Sequence, residues 1–302
     1  MTAHLADPLG TQHEIELSAG PVRYRERGSG PTVVFLHGIV ANSVLWRRVV
    51  PQLADRFRCI TPDWPLGSHE LGQRAGTDMS LPGLARIVEE FFDALDLTDV
   101  TLVANDTGGA VAQWVAVHDP ERLGRLVLTP CDAFENFLPL PLRHLQVAGR
   151  TPAGLRLVGQ SLRFRFIQRL PIAFGLLTVR PIDPDAMAAY TTPLRTNAAV
   201  RADFARLVRA VSSRYTQEAA QRLSGFDKPA LVVWSLDDRI FPLRHGHALA
   251  GLMPQATLTV IDDSGAFIPE DRPVELARRI GEFLEDPAAA DGNDELGRVL
   301  AG

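Results

Sequence analysis

The strongest constraint on the fold is a rhythm of short apolar runs. Thr32–Leu36 (TVVFL), Val100–Ala104, Arg125–Thr129, Ala230–Trp234 and Thr257–Ile261 recur, mostly with helix-period stretches between them. A strand that is apolar along its length is covered on both faces, as happens inside a parallel sheet with helices on each side. Leu81–Leu95 reads as such a helix, with Ser80 placed to cap it. Leu45–Ala54, Gly108–His118, Leu243–Leu252 and Pro273–Leu284 also carry helical spacing. Glu14–Leu17 and Val22–Glu26 read as short strands around the turn pair Ala19–Gly20, and Arg58–Thr61 as a brief one. Alternation of this kind requires right-handed crossovers, so the sequence predicts an α/β fold with a mainly parallel sheet.

The rhythm stops from about Asp132 to Ser224. Buried-strand runs vanish, seven prolines from Pro139 to Pro193 punctuate the stretch, and the periodic segments look helical. The charge changes too: 13 Arg stand against 5 acidic residues between Ala133 and Ser224, within a chain whose net charge is −5. Such an insert could attract an anionic ligand, or complement an acidic core beneath it. The expected division is a sheet core over 12–132 and 225–286, a helical cap over 133–224, and loosely ordered tails over 1–11 and 287–302.

Composition narrows the function classes. The 302 residues are 46% hydrophobic and 22% charged, which excludes a disordered or fibrous chain. A mild net charge argues against a protein that tracks nucleic-acid phosphates. Nearly every basic residue is Arg, and Lys228 is the only lysine. Cys59 and Cys131 lie far apart and form no CxxC pair, so neither a disulfide scaffold nor a metal site is expected. Gly108-Gly109 lacks the spacing of a dinucleotide fingerprint, and no cofactor is expected. The opening residues MTAHLADPLG carry no export signal, and no apolar run reaches the roughly 20 residues that span a bilayer. The expectation is a cytoplasmic globular protein acting on a small molecule, without nucleic-acid or membrane partners; a homodimer is left open.

The chemistry concentrates in Val103–Gly109 (VANDTGG), between a buried strand and a helix. A strand that turns sharply into a helix needs small residues two before and two after its apex, here Ala104 and Gly108 around Asp106. The helix N-terminus then aims backbone N–H groups and positive dipole at that apex. This spacing is that of a nucleophile elbow, with Asp106 where serine commonly stands. An Asp at a strand–helix junction also serves as an ordinary N-cap. Two further segments fall at the same sheet edge. Phe35-Leu36-His37-Gly38 lets the N–H of Ile39 turn toward Asp106, making with the N–H of Thr107 a two-donor oxyanion site. Trp234-Ser235-Leu236-Asp237-Asp238 puts acids just past a late strand, and ligands bind at the carboxyl edge of open α/β sheets.

From about Val22 to Leu284 the chain resembles an α/β-hydrolase-fold protein, closest to the haloalkane dehalogenases and epoxide hydrolases, whose nucleophile is Asp. The matching motifs are FLHG at 35–38, ANDTGG at 104–109, Asp238 four before Pro242, and SGAFIPEDRP at 264–273. The resemblance implies a mostly parallel eight-stranded sheet flanked by helices, with a helical cap. It also implies that Asp106 is the nucleophile and that Asp238 orients a general base. The departures are informative. The family's last motif reads S-G-H-F and its His activates water; here that position is Ala266, which cannot move a proton. The sequence alone does not decide between an engineered replacement and a natural absence. Dehalogenases usually place Trp after the nucleophile, where this chain has Thr107. Epoxide hydrolases usually carry H-G-x-P and two lid tyrosines; here Val40 replaces the proline, and Tyr190 and Tyr215 are the insert's tyrosines.

Other residues at or near this edge admit plain structural roles beside functional ones. Asp132 and Glu135 sit where some dehalogenases place an alternative acid, or are simply solvated loop residues. Trp64 and His37 are candidate pocket residues, whereas Trp46, Trp114 and Trp234 read as core. His69 is a loop candidate for the missing base, and His245 and His247 read as solvent-facing. Three functions follow: hydrolysis through Asp106 of an epoxide or carbon–halogen bond; a non-hydrolytic lyase or cyclase step with Asp106 as base; or ligand binding on a disabled scaffold.

Overall fold

The computed structural model describes residues 3–286. Eight strands form one sheet among them: β1 (Thr11–Leu17), β2 (Gly20–Arg27), β3 (Thr32–Leu36), β4 (Arg58–Pro62), β5 (Val100–Asp106), β6 (Leu123–Cys131), β7 (Ala230–Ser235) and β8 (Ala256–Ile261). Their spatial order is β1-β2-β4-β3-β5-β6-β7-β8. The β1–β2 and β2–β4 pairs are antiparallel and all later pairs are parallel. The uniformly apolar runs are the central strands. Every residue of β5 and β7 is buried, while the amphipathic β1 is exposed along most of its length at the sheet edge.

Helices α1 (Leu81–Ala94) and α2 (Thr107–His118) follow β4 and β5. As expected, Ser80 caps α1, its hydroxyl accepting from the Gly83 amide. Between β6 and β7 lie α3 (Pro152–Ser161), α4 (Pro184–Thr196), α5 (Ala198–Ala210) and α6 (Ser213–Arg222), joined by short helical turns. Helices α7 (Leu243–Leu252) and α8 (Pro273–Glu285) complete the layers. The single helix expected over Leu45–Ala54 is instead a turn at Ser43–Trp46 and another at Val50–Leu53. Pro51 has no amide hydrogen and its ring would collide with a carbonyl four residues back, so it is tolerated in the first turn of the second segment but does not let one helix run on from Ser43–Trp46. Residues 3–9, read from sequence as part of a loose tail, form helical turns with Ala6 and Leu9 fully buried. The tail expected over 287–302 lies outside the described residues.

The helical insertion is fastened to the sheet domain by buried polar contacts. Tyr190 on α4 donates to Glu270, whose carboxylate is gripped by Arg47 at 2.6 and 2.9 Å. Asp203 on α5 meets His69 Nε2 at 3.0 Å. The Leu177 carbonyl accepts from the Phe267 amide at 2.8 Å, which seats the insertion on the loop holding Ala266.

Candidate active site

β5 passes directly into α2, and Asp106 is the residue at the bend, with φ 56° and ψ −132°. That backbone conformation costs a non-glycine residue ~1–3 kcal/mol and persists only where its surroundings enforce it. The small neighbours explain how the bend fits. A Cβ on Gly108 would lie 2.6 Å from the His37 carbonyl oxygen, and one on Gly38 would lie 2.1 Å from Asp106 Oδ1. Asp106 is 2% exposed, and its Oδ1 accepts from the Thr107 amide at 2.6 Å and from the Ile39 amide at 3.1 Å. An ordinary N-cap carboxylate bonds amides two or three residues on; this one bonds the next amide and one from a separate loop.

Above the bend is a cavity of about 140 Å³. Its walls come from the insertion and from Ile39 and Val40, and are almost wholly apolar: Leu142, Leu145, Leu162 and Phe174 are representative. Asp106 lines it with two further polar residues, His144 and Ser161. The Ser161 hydroxyl donates to the Val158 carbonyl at 2.7 Å. His144 Nδ1 lies 3.0 Å from the Pro141 carbonyl. A carbonyl only accepts, so Nδ1 carries a hydrogen, and Nε2 is the ring nitrogen left over for other partners. His144 escaped the sequence reading because nothing in the Pro-interrupted stretch from Pro139 indicates which side chain turns inward.

Three carboxyls gather at this edge without a cation to pair them among the described residues. Asp132 is fully buried, and its Oδ2 accepts from the Thr107 hydroxyl at 2.8 Å. Burial first, then the charge of Asp106, pushes Asp132 well above the usual carboxylate range. Burial likewise raises Asp106, against the opposing pull of the Thr107 and Ile39 amides. Asp238 Oδ1 accepts from the Ile240 and Phe241 amides at 2.7 and 2.8 Å, while its Oδ2 is buried with no partner among the described residues. Burial pushes this carboxyl up to about 7, with Asp106 adding to the rise. Cys131 lies among all three, and burial with their charges pushes its thiol well up, the reverse of an activated thiolate.

Ala266 is fully buried, and its carbonyl accepts from Asn105 Nδ2 at 2.8 Å. The same amide nitrogen reaches Thr129 Oγ1 and the Pro130 carbonyl, so Asn105 ties the last loop to β5 and β6. Its neighbour Asp106 drew the eye in the sequence; a tether to residue 266 leaves no local pattern.

The other expected residues divide. His37 is buried with Nδ1 on the Gly38 carbonyl and Nε2 accepting from the Trp64 amide, and burial pushes it down to about 4. Trp64 donates to the Phe35 carbonyl and packs edge-on against Phe91, so both residues brace the strand ends. His69 spends its ring nitrogens on Asp203 and the Gly67 amide. Tyr190 is buried against Glu270, and Tyr215 packs edge-on to Trp114 on the outer side of α2. Neither tyrosine is among the residues lining the Asp106 cavity. His245, expected to face solvent, is 4% exposed and packs against Phe134; the Gly246 beside it lets α7 lie against Trp234. His247 is exposed, as is Glu135.

Comparison with known proteins agrees with this architecture. Residues 31–154 match the family model described as the alpha/beta hydrolase fold. A haloalkane dehalogenase of Mesorhizobium japonicum is 30% identical over 317 residues, spanning 97% of this chain and 98% of that protein. A cis-3-alkyl-4-alkyloxetan-2-one decarboxylase of Shewanella oneidensis is 28% identical, over 91% of this chain and 88% of its own. A crystal structure of an alpha/beta hydrolase fold protein from Burkholderia ambifaria superposes with TM-score 0.76 at 25% identity, covering 89% of this chain and 96% of that one. The chain belongs to the α/β-hydrolase family and has haloalkane dehalogenases among its relatives.

Proposed function

We propose that this protein uses Asp106 as a carboxylate nucleophile against a carbon–halogen bond or an epoxide of a small apolar molecule, under a cap formed by residues 133–224. The observation that carries the reading is a strained, buried carboxylate with one oxygen held by two backbone amides at the floor of an apolar cavity. The cavity, about 140 Å³, is close to the ~150 Å³ apolar cavity that admits benzene. A substrate of about six to eight non-hydrogen atoms is therefore the expected size.

In the first step Asp106 Oδ2 attacks the substrate carbon, the carbon–halogen electrons leave with halide, and an ester forms on Asp106. Oδ1 becomes the ester carbonyl oxygen. When water adds to that ester, the charge on Oδ1 is held by the Ile39 and Thr107 amides, already in place. The water must lose a proton, and Ala266 cannot take it. His144 lines the cavity with Nε2 left over for other partners. It takes the proton as water attacks and returns it to the departing alkoxide; Asp106 is left as the acid, and release of that proton to solvent restores its carboxylate. The halide arm is favoured over the epoxide arm. An opening epoxide needs a proton for its oxygen, and Tyr190 and Tyr215 do not line the cavity.

A second reading draws on Ala266 and on the relationship to the oxetanone decarboxylase. Loss of carbon dioxide from such a lactone leaves an alkene and consumes no water, so it does not need the missing base. Intact-mass and product analysis separates the readings. With 1-bromohexane, the parent should release alcohol, while His144→Gln should accumulate a hexyl ester because a positioned proton carrier is worth ~10²–10⁴-fold. If neither protein forms adduct or alcohol from 1-bromohexane or 1,2-epoxyhexane, the first reading fails. Asp106-dependent release of carbon dioxide from a cis-dialkyl oxetanone would then establish the second.

A further inference from the structure

The insertion presents a surface that substrate turnover does not explain. Between Glu135 and Asp183 there is no acidic residue, and seven arginines occur. The same stretch carries most of the large apolar side chains that the fold leaves exposed, including Leu140 at 75%, Leu157 at 72%, Phe166 at 66% and Ile172 at 51%. The two types interleave. Arg163-Phe164-Arg165-Phe166 are exposed in succession, with the Arg163 guanidinium 4.5 Å from the centre of the Phe164 ring. Of the seven arginines, Arg180 alone forms an ion pair among the described residues, with Asp263. A basic insert serving to neutralise the acidic core would turn its arginines inward; six of these do not.

The patch is also continuous with the candidate active site. The inner sides of the same turns, at Val158, Leu162 and Ile167, line the cavity above Asp106. Ile172 lines that cavity while remaining half exposed, so apolar surface runs from solvent to the carboxylate. We propose that residues 140–180 dock the protein peripherally on an anionic lipid surface. The apolar side chains would sit at the headgroup–acyl boundary and the arginines on lipid phosphates, the pattern by which basic amphipathic surfaces lie on membranes. No helix among the described residues is long and apolar enough to cross a membrane; the contact proposed is peripheral. A second copy of this chain is a poorer occupant, because two acid-free, arginine-rich faces repel. Docking replaces the expectation of no membrane partner, which rested on the lack of a spanning run. Delivery of an apolar substrate from lipid to the cavity rests on the reading of Asp106 above; docking does not.

Flotation of the full chain with phosphatidylcholine vesicles, with and without phosphatidylglycerol, tests the proposal. Binding is expected to require the anionic lipid and to weaken with salt. Arg163→Gln/Arg165→Gln/Arg169→Gln should weaken it ~100-fold at low salt, from about 1 kcal/mol per basic residue at such a surface. Phe164→Ser/Phe166→Ser should weaken what binding persists at high salt. All five side chains are exposed, and thermal unfolding checks that each variant folds. Asp106→Asn should bind vesicles like the parent, so the two readings fail separately. No binding to anionic vesicles at low salt, or binding that both multiple variants leave intact, would overturn the proposal. Self-association abolished by the same substitutions, without vesicle binding, would assign the patch to a second copy and overturn it equally.

Discussion

Asp238 is a buried carboxyl whose protonation is tied to folding. Its Oδ1 is spent on two amides, and its Oδ2 is buried with no partner among the described residues. Burial pushes its carboxyl up to about 7, so between the unfolded value near ~4 and about 7 the folded state holds a proton that the unfolded state releases. Stability from this group is therefore present at acid pH and lost as pH rises through about 7. Asp238→Asn keeps the accepting oxygen and removes the charge. Thermal unfolding at pH 5 and pH 8 should show the variant losing less stability across that interval than the parent; an equal loss in both would contradict the assignment. The motif residues of the site were legible here: Asp106, Ile39 and Thr107 stand in a spacing that backbone geometry imposes locally. His144 and Asn105 were not, because each acts through contacts with residues distant in the chain.

Among the elements, the βα bend depends on close backbone approach. A Cβ on Gly38 would strike the Asp106 carboxylate at 2.1 Å, so Gly38→Ala should displace it from the Ile39 amide. The expected result is loss of ester formation, by about 10²-fold or more if one oxyanion donor is misplaced, with the sheet intact by circular dichroism. The insertion's anchor is the Arg47–Glu270–Tyr190 cluster. Arg47→Leu removes the buried guanidinium that grips both Glu270 oxygens and leaves the more exposed Arg48 as the remaining cation on that carboxylate, so it should cost ~1–3 kcal/mol in denaturant unfolding, whereas Arg47→Leu with Glu270→Leu should recover much of it. The central strands were readable because burial on both faces writes an unbroken apolar run. The two turns at 43–53 look like one helix in the sequence because nearly all their residues are buried, which mimics helical spacing, whereas Pro51 opens the second turn and does not let the first run into it. The Arg47–Glu270 pair is separated by 223 residues, and no local pattern announces such a partner.

At the scale of the whole molecule, the charge asymmetry was visible in composition, but its meaning depended on which way the arginines face. The fold turns most of them outward over 140–180 and leaves the carboxyl cluster of Asp106, Asp132 and Asp238 buried. A buried carboxylate, an apolar cavity and an imidazole on the insertion form one reaction chamber only if Asp106 itself bonds to substrate. A single turnover with 1-bromohexane in ¹⁸O-water tests this directly, with enzyme in excess and peptide and product masses read afterwards. Water attacks the ester at Asp106, so the label should appear in the peptide bearing Asp106, and the first alcohol should carry an unlabelled oxygen from the enzyme. Label in that first alcohol, with none in the Asp106 peptide, would mean that water attacks the substrate itself and would contradict a nucleophilic Asp106.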